Sequence, residues 1–206
     1  MLVCGMACVA HNPPGDMALV ESRLLTRLAG TSSPGAAARA LSSVAKDGCW
    51  PDVNYSDTSA TGGWSPALHL NRTLALAIAV RWSNMTIPAA AATAAVHNAL
   101  LCWFKRQPQS SNWWWDELQV PARIANIALV FAPHLTTEEA RVMLVQMERA
   151  TGEGRTGANL DDEIATAIKR GLCTGNSSLV AGGFQRLWAE IKVTEPTAPD
   201  GQCSPN

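Results

Sequence analysis

The sequence predicts an all-α protein built from stacked antiparallel helical hairpins. The 206-residue chain is 47% hydrophobic and rich in Ala and Leu, which favour helices, and β-branched runs are few. Apolar positions repeat at helical spacing in about eight segments. Long apolar helices alternate with loops and show no strict repeat period. An α-solenoid and an α/α toroid therefore both fit the pattern.

Local signals justify the individual helices. Gly30 closes the first, Ser32-Ser33-Pro34 caps the second, Ser65-Pro66 opens the third, and Thr136 with Glu139 forms a capping box before the sixth. Breaker-rich text over 46–63 predicts a loop, as does the Gly-rich stretch 151–159. The helices are expected over residues 16–30, 35–45, 65–82, 88–105, 120–131, 138–150, 159 or 161 to 171 or 172, and 177–191.

The chain divides into three parts. Residues 1–15 form an uncertain N-terminal segment, which is apolar at first but lacks the basic start of a signal peptide. Residues 16–193 form one helical domain. Residues 194–206 are rich in Pro, Gly and Ser and have no periodicity, so they are expected to be an irregular tail.

Composition excludes several classes of function. A net charge of −1 provides no basic surface for nucleic acid. No apolar run reaches the roughly 18 residues of a membrane span, so no membrane contact is expected. The chain is also expected to be a monomer. Gly152, Gly154 and Gly157 match G-x-G-x-x-G formally, but they follow a helix, so no nucleotide cofactor is predicted.

The six cysteines have no CxxC spacing, so no metal site is predicted, and disulfide connectivity is left open. Four N-x-S/T sequons exceed the one or two expected by chance. They favour a secreted, extracellular protein. The sequons begin at Asn54, Asn71, Asn84 and Asn176.

The most unusual segment holds three consecutive tryptophans, Trp113, Trp114 and Trp115, before an apolar helix. Adjacent residues of a helix point about 100° apart, so the three rings cannot share one buried face. At least one ring should face away from the core. Exposed aromatic rings suit flat, partly apolar ligands such as sugars. The structural alternative is a loop-to-helix junction anchored by its aromatic side chains.

Asn159 and the acidic run 161–163 are two further candidate sites. Asn159 lies at a Gly-rich helix start, where a neutral amide beside backbone N–H groups can hold a carboxylate; the alternative is a plain N-cap. The acidic run 161–163 is expected to compensate the helix dipole in a first turn. His69 and His97 are expected to be core or helix-face residues, and His134 a loop residue.

Three motifs occur in order along the chain: residues 50–55, Asn112-Trp113-Trp114 followed by Glu117-Leu118 and Pro121, and residues 156–161. Together they resemble polysaccharide lyase family 8, which holds the hyaluronate, chondroitin AC and xanthan lyases. The first is similar to the family's W.DI.Y stretch, the second to its signature NWW…EIG.P and the third to its TGAN..D segment. Residues 171–178 also fit, and order and spacing agree over roughly residues 45 to 195.

The resemblance implies part of an (α/α) toroid and a lyase acting on polysaccharides. Such enzymes cleave uronic-acid glycans, including hyaluronan-like and chondroitin-like chains, by β-elimination, and the partner would be an acidic polysaccharide. The weakly acidic C5 proton requires the neighbouring carboxylate to be neutralised. By resemblance, Asn159 would do this as a catalytic residue. Asn112, Trp113 and Trp114 would bind and position the sugar chain.

The sequence departs from the family pattern. Trp115 replaces a frequent Asp, so we assign it to packing, and Gln119 replaces a Gly. The family's His and Tyr would follow about 50 residues after Asn159, and the one tyrosine, Tyr55, does not match that position. The chain is therefore expected to be truncated, an incomplete toroid that is inactive alone. The alternatives are a non-catalytic glycan-binding remnant and an unrelated α-solenoid interaction module.

Overall fold

The computed structural model describes residues 15–31, 34–82, 87–151 and 155–191. Within these ranges every regular element is helical, which confirms the all-α prediction. The predicted end segments fall almost entirely outside them, as do Ser32, Ser33, Gly152 and Gly154. The α-helices are α1 Gly15–Ala29, α2 Pro34–Ser43, α3 Ala67–Arg81, α4 Ala89–Arg106, α5 Val120–Phe131, α6 Thr137–Met147, α7 Gly157–Thr174 and α8 Ser177–Ile191.

Helix α5 is the centre of the fold. It is apolar nearly all round, and most of its residues are buried, as expected for a helix enclosed by others. It packs against α3, α6 and α7, while consecutive helices also pair as α3 with α4 and α7 with α8. A single apolar core runs from Met17 in α1 to Val180 in α8.

The chain becomes helical before α5, inside the tryptophan cluster. One π-helical turn spans Trp115–Gln119, and the N–H of Val120 donates to the carbonyl of Trp115, five residues back. Pro121 has no N–H to offer the carbonyl of Glu117, so the regular α pattern cannot continue through this turn. The predicted bounds of α5, 120–131, are confirmed; the preceding helical turn was not predicted.

Helix α7 begins at Gly157, inside the segment predicted to be a loop. Asn159 is therefore the third residue of the helix, and its interpretation as an N-cap is wrong. The acidic run 161–163 lies beyond the first turn, so its predicted role in compensating the dipole there is also wrong. Gly157 has φ +57°, a left-handed conformation that residues with a side chain rarely adopt. A glycine at this position therefore allows the helix to begin abruptly.

The long loop over 46–66 is tied to the helices on both sides. Cys49 forms a disulfide with Cys102 of α4, a pairing that the sequence left open. Gly48 has φ +81° and lies so close to α4 that a Cβ would be 2.0 Å from the carbonyl oxygen of Asn98. The indole Nε1 of Trp50 donates to the carbonyl of Ala40, 3.1 Å away. The loop therefore has a defined position although it has no regular structure.

Candidate functional site

The three tryptophans have three different environments. Trp113 is 49% exposed. Trp114 is half-buried and meets Trp115 edge-on, with ring centroids 4.9 Å apart. Trp115 is buried, and its Nε1 donates to the carbonyl of Thr61 at 3.0 Å. The expectations that one ring faces outward and that Trp115 serves packing are both confirmed.

Asn112 organises the backbone at this point. Its Oδ1 accepts from the N–H of Trp114 at 3.0 Å, and its Nδ2 donates to the carbonyl of Ala60 at 3.3 Å. The amide thus caps the helical turn and joins it to the loop over 46–66. Both ends of the side chain are occupied, so any contact with sugar would be additional to this structural role.

The polar segment before the tryptophans is held by the same loop. The Oγ of Ser110 donates to the carbonyl of Ser59 at 2.7 Å, and the N–H of Ser111 donates to the carbonyl of Thr58 at 2.9 Å. Asp116 accepts from the N–H of Ser110 at 3.3 Å. Burial raises the pKa of Asp116 above its ordinary value. The helical turn over residues 113–119, which we call the tryptophan turn, is therefore anchored on its N-terminal side by contacts with the backbone of the loop over 46–66.

Asn159 lies in the first turn of α7 and is half-buried. Among the described residues, its side-chain amide has no hydrogen-bond partner. The neighbouring N–H of Gly157 donates to Oε1 of Glu190 in α8 at 2.7 Å. The N–H groups and the positive end of the dipole make a helix start favourable for an anion, and here the Glu190 carboxylate occupies the N–H of Gly157. The amide therefore stands where it can donate to a carboxylate.

The two motifs, about 40 residues apart in sequence, meet in space. Nη2 of Arg155 pairs with Oε2 of Glu117 at 2.5 Å, and its guanidinium lies over the ring of Trp113 at 5.4 Å. Nε2 of Gln119 donates to Oδ2 of Asp162 at 2.8 Å. These contacts join the tryptophan turn to the start of α7 directly.

Arg123 makes further contacts with the residues that join the tryptophan turn to α7. Nη1 of Arg123 donates to Oε1 of Gln119 at 2.6 Å, and its guanidinium lies over Trp115 at 5.1 Å. Burial lowers the pKa of Arg123, and burial also lowers that of Lys169, which the carboxylate of Asp162 partly offsets. Gln119, which departs from the family's usual Gly, is thus one of the residues that connect the π-helical turn to α7.

Sequence reasoning missed the charged residues of this junction. Glu163 is buried and pairs with Arg155 at 3.3 Å and with Arg186 of α8 at 2.7 Å. The sequence motif contains Glu117 but assigns it no role, and no motif includes Arg155. The one sequence feature that could have indicated Arg155 is its position directly before Thr156-Gly157, where α7 begins.

The chain's one tyrosine belongs to a separate network. His69 Nε2 donates to the carbonyl of Ala99 at 3.0 Å, so its Nδ1 accepts from the Tyr55 hydroxyl at 2.9 Å. The N–H of Trp50 donates to the same hydroxyl at 2.9 Å. Burial lowers the pKa of His69 to about 4, so it is neutral at pH 7. Its predicted core position is confirmed.

A cavity of about 350 Å³ borders this loop and is separate from the predicted site. It is lined by Asp47, Trp50, Tyr55 and Arg106 with their neighbours, and by none of Asn112, Trp113, Trp114 or Asn159. Across the described ranges, no three His, Cys, Asp or Glu side chains are grouped as metal ligands would be. Nor is any described helix long and apolar enough to cross a membrane.

The sequence model of polysaccharide lyase family 8, N-terminal alpha-helical domain, matches residues 20–197. The chain belongs to this family. It is 25% identical over 156 residues to the chondroitinase-AC of Pedobacter heparinus, covering 74% of this chain. Membership excludes the unrelated helical interaction module as an alternative. The match spans only 22% of the relative's length.

Solved structures show the same fold. A chondroitinase AC lyase, studied as oligosaccharide complexes and by mutagenesis, superposes with a TM-score of 0.77 at 22% identity. That match covers 86% of this chain and 27% of the other. A Paenibacillus xanthan lyase gives a TM-score of 0.65 at 16% identity, over 91% of this chain and 18% of the other. The helical hairpins therefore form part of an (α/α) toroid, as predicted.

Proposed function

We propose that this chain supplies the sugar-holding part of a lyase that cleaves uronic-acid polysaccharides by β-elimination. One observation carries the proposal: an aromatic ring with a 49% exposed surface, Trp113, is tied through Arg155 to the helix start that bears Asn159. An exposed aromatic ring, together with an unpaired amide in the first turn of the neighbouring helix, matches the chemistry of a sugar that carries a carboxylate.

Each residue has a distinct proposed task. The exposed face of Trp113 stacks on a sugar ring, and the half-buried Trp114 completes the aromatic patch that positions the sugar chain. The Asn159 amide donates to the uronate carboxylate. Because the C5 proton is adjacent to that carboxylate, a donor that stabilises negative charge there lowers the barrier to proton removal. Asn112 holds the turn through its bonds to Trp114 and Ala60.

Proton transfer is not assigned to any described residue. Tyr55 is the one tyrosine of the chain, and its hydroxyl is committed to His69 and to the N–H of Trp50. We therefore propose that the chain binds chondroitin-like glycans without cleaving them. Incubation with chondroitin should produce no ultraviolet absorbance of an unsaturated sugar. Appearance of that product would contradict this part of the proposal.

Binding is tested by titrating the chain with chondroitin oligosaccharides in a calorimeter. We expect Trp113→Ala to weaken binding at least about tenfold, since a tenfold loss corresponds to about 1.4 kcal/mol of stacking. Trp188→Ala is the matched control, because Trp188 is 67% exposed on α8 and is not one of the predicted site residues. Equal losses in both variants, or no binding by the unmodified chain, would refute the proposed site.

The carboxylate role of Asn159 is tested with two ligands. Asn159→Ala should weaken binding of chondroitin about fivefold to tenfold, the loss of roughly one hydrogen bond to a charged group. Chondroitin with its carboxylates reduced to alcohols should bind the variant and the unmodified chain equally. A similar loss with both ligands would mean that Asn159 does not recognise the carboxylate.

We also propose that the protein is extracellular, from its disulfide and its exposed sequons. Disulfides persist in oxidising compartments, and Cys49 is bonded to Cys102. The described sequon residues Asn54, Asn71 and Asn176 are all exposed. Peptide mapping of protein recovered from the culture medium should find the bonded cysteine pair; recovery only from cell interiors with both thiols free would contradict this location.

A further inference from the structure

Arg155 is an almost fully enclosed charge at the edge of the predicted site. Its side chain is only 9% exposed. It makes an ion pair with Glu117 at 2.5 Å and another with Glu163 at 3.3 Å. An arginine is rarely buried to this degree without such partners, because removing its charge from water is costly. The residue is therefore held firmly in one place.

Its partners come from two separate parts of the chain. Glu163 lies in α7, whereas Glu117 and Trp113 belong to the tryptophan turn. Glu163 also pairs with Arg186 at 2.7 Å, so its charge remains compensated without Arg155. A residue that served α7 alone would need only the contact with Glu163. The contacts of Arg155 with Glu117 and Trp113 serve the tryptophan turn.

The contact between Arg155 and Trp113 involves only one face of the indole ring. The Arg155 guanidinium lies 5.4 Å from the ring centroid, over one face. The ring is nevertheless 49% exposed. A cation over the face of an indole ring is attracted to it and limits its rotation. One face of Trp113 is thus covered by Arg155, and the remaining surface is open to solvent.

We propose that Arg155 is a positioning residue that fixes the ring of Trp113 relative to the first turn of α7, where Asn159 lies. Its effect on sugar binding rests on the function proposed above; its effect on the ring does not. The planar guanidinium is needed, because it pairs with carboxylates in a fork while stacking on an aromatic face. A lysine would retain the charge but would lose that combined geometry.

The ring position is measured directly by fluorine NMR. The chain is labelled with 5-fluorotryptophan, and the Trp113 resonance is assigned by its loss in Trp113→Phe. We expect Arg155→Ala to shift the Trp113 resonance and to leave that of Trp188 unchanged. Arg141→Ala is the matched control, since it removes an exposed arginine paired with Glu138 on α6. An unshifted Trp113 resonance in Arg155→Ala would overturn the proposal.

A milder variant covers the case in which Arg155→Ala does not fold. Glu117→Gln removes the negative charge of one partner of Arg155, a side chain that is 50% exposed, and leaves the ion pair with Glu163 intact. We expect a smaller shift of the Trp113 resonance in the same direction. If neither variant moves the resonance while circular dichroism shows a native helix content, Arg155 does not position the ring.

Binding separates this inference from the proposed function. Arg155→Ala should weaken chondroitin binding about fivefold or more, Arg155→Lys should lie between it and the unmodified chain, and Arg141→Ala should have no effect. If the unmodified chain fails to bind chondroitin, the proposed function fails while the fluorine shifts still decide the positioning role. If the ring moves but the affinity stays constant, the link between Arg155 and sugar binding is refuted.

Discussion

At the scale of the residue, neighbours with similar chemistry serve different purposes. Trp113 is half exposed and Trp115 is buried, although one residue separates them. The cause is the helical turn that begins at the cluster, because it points successive side chains in different directions. A count of aromatic residues therefore does not distinguish an exposed ring from one that fills the core.

His69 provides the residue-scale test. Its pKa is lowered by burial from 6.5 to about 4, so between these values the unfolded chain binds a proton that the folded chain does not. This contribution to the free energy of unfolding is fully present above pH 6.5 and declines as the pH falls towards 4. The expected loss is about 3 kcal/mol. Urea unfolding at pH 7 and pH 4 measures it.

The comparison variant is His69→Gln, whose amide can keep hydrogen bonds to Tyr55 and Ala99 but does not titrate. It should lose less stability than the unmodified chain over the same pH range. His134→Gln, at an exposed histidine, should behave like the unmodified chain. Equal pH dependence in His69→Gln and the unmodified chain would show that the His69 proton is not responsible.

At the scale of the element, the irregular segments determine how the helices meet. The loop over 46–66 contacts α2, α3, α4 and the tryptophan turn through hydrogen bonds and one disulfide. Because a loop without regular structure has no internal ladder of backbone hydrogen bonds, these contacts with the neighbouring elements hold it in position. The candidate site depends on it, since Asn112 and Trp115 both bond to its backbone.

Removal of the Cys49–Cys102 bond is the element-scale test. The bond joins residues separated by 53 positions. In the chain-entropy account, closing a loop of this size stabilises the fold by roughly 2–4 kcal/mol. Cys49→Ala with Cys102→Ala should lower the free energy of unfolding by that amount. Reductant should destabilise the unmodified chain similarly and leave the double variant unchanged; an unmodified chain insensitive to reductant would contradict the prediction.

At the scale of the whole molecule, one core links all eight described helices to the site. Trp64 is 1% exposed and contacts both Trp103 and Trp115, so the tryptophan turn rests on the same core as α4. In contrast, α8 presents Phe184, Trp188 and Ile191 to solvent. Damage to the core should therefore reach the site, whereas changes on the outer face of α8 should not.

The same substitution at two tryptophans tests this division. Trp64→Ala should cost about 3–5 kcal/mol of stability, because it removes a large buried ring and leaves a cavity. Trp188→Ala should change the free energy of unfolding by less than about 0.5 kcal/mol, because that side chain is 67% exposed. Urea unfolding followed by circular dichroism measures both; similar costs would mean that the α8 face is covered in solution.

Much of the fold was predictable because it rests on local signals. The bounds of α5 and α8 and the capping box at Thr136 follow from spacing and caps that are visible within a few residues. Helix α7 begins earlier than the sequence predicts, because a Gly-rich stretch is typical of a loop although a glycine with positive φ, here Gly157, can open a helix. The π-helical turn was missed because it depends on Pro121 and on contacts with residues far along the chain.

The sequence by itself determined the all-α class, the order of the helices and the family. Helical periodicity and motif order are properties of neighbouring residues. Only the tertiary structure decided that Trp113 is more exposed than Trp114, which cysteines pair, and that Arg155 joins Trp113 to the helix of Asn159. These outcomes depend on contacts between residues about 40 or more positions apart, and the free energy of such contacts is set by the packing of the whole chain.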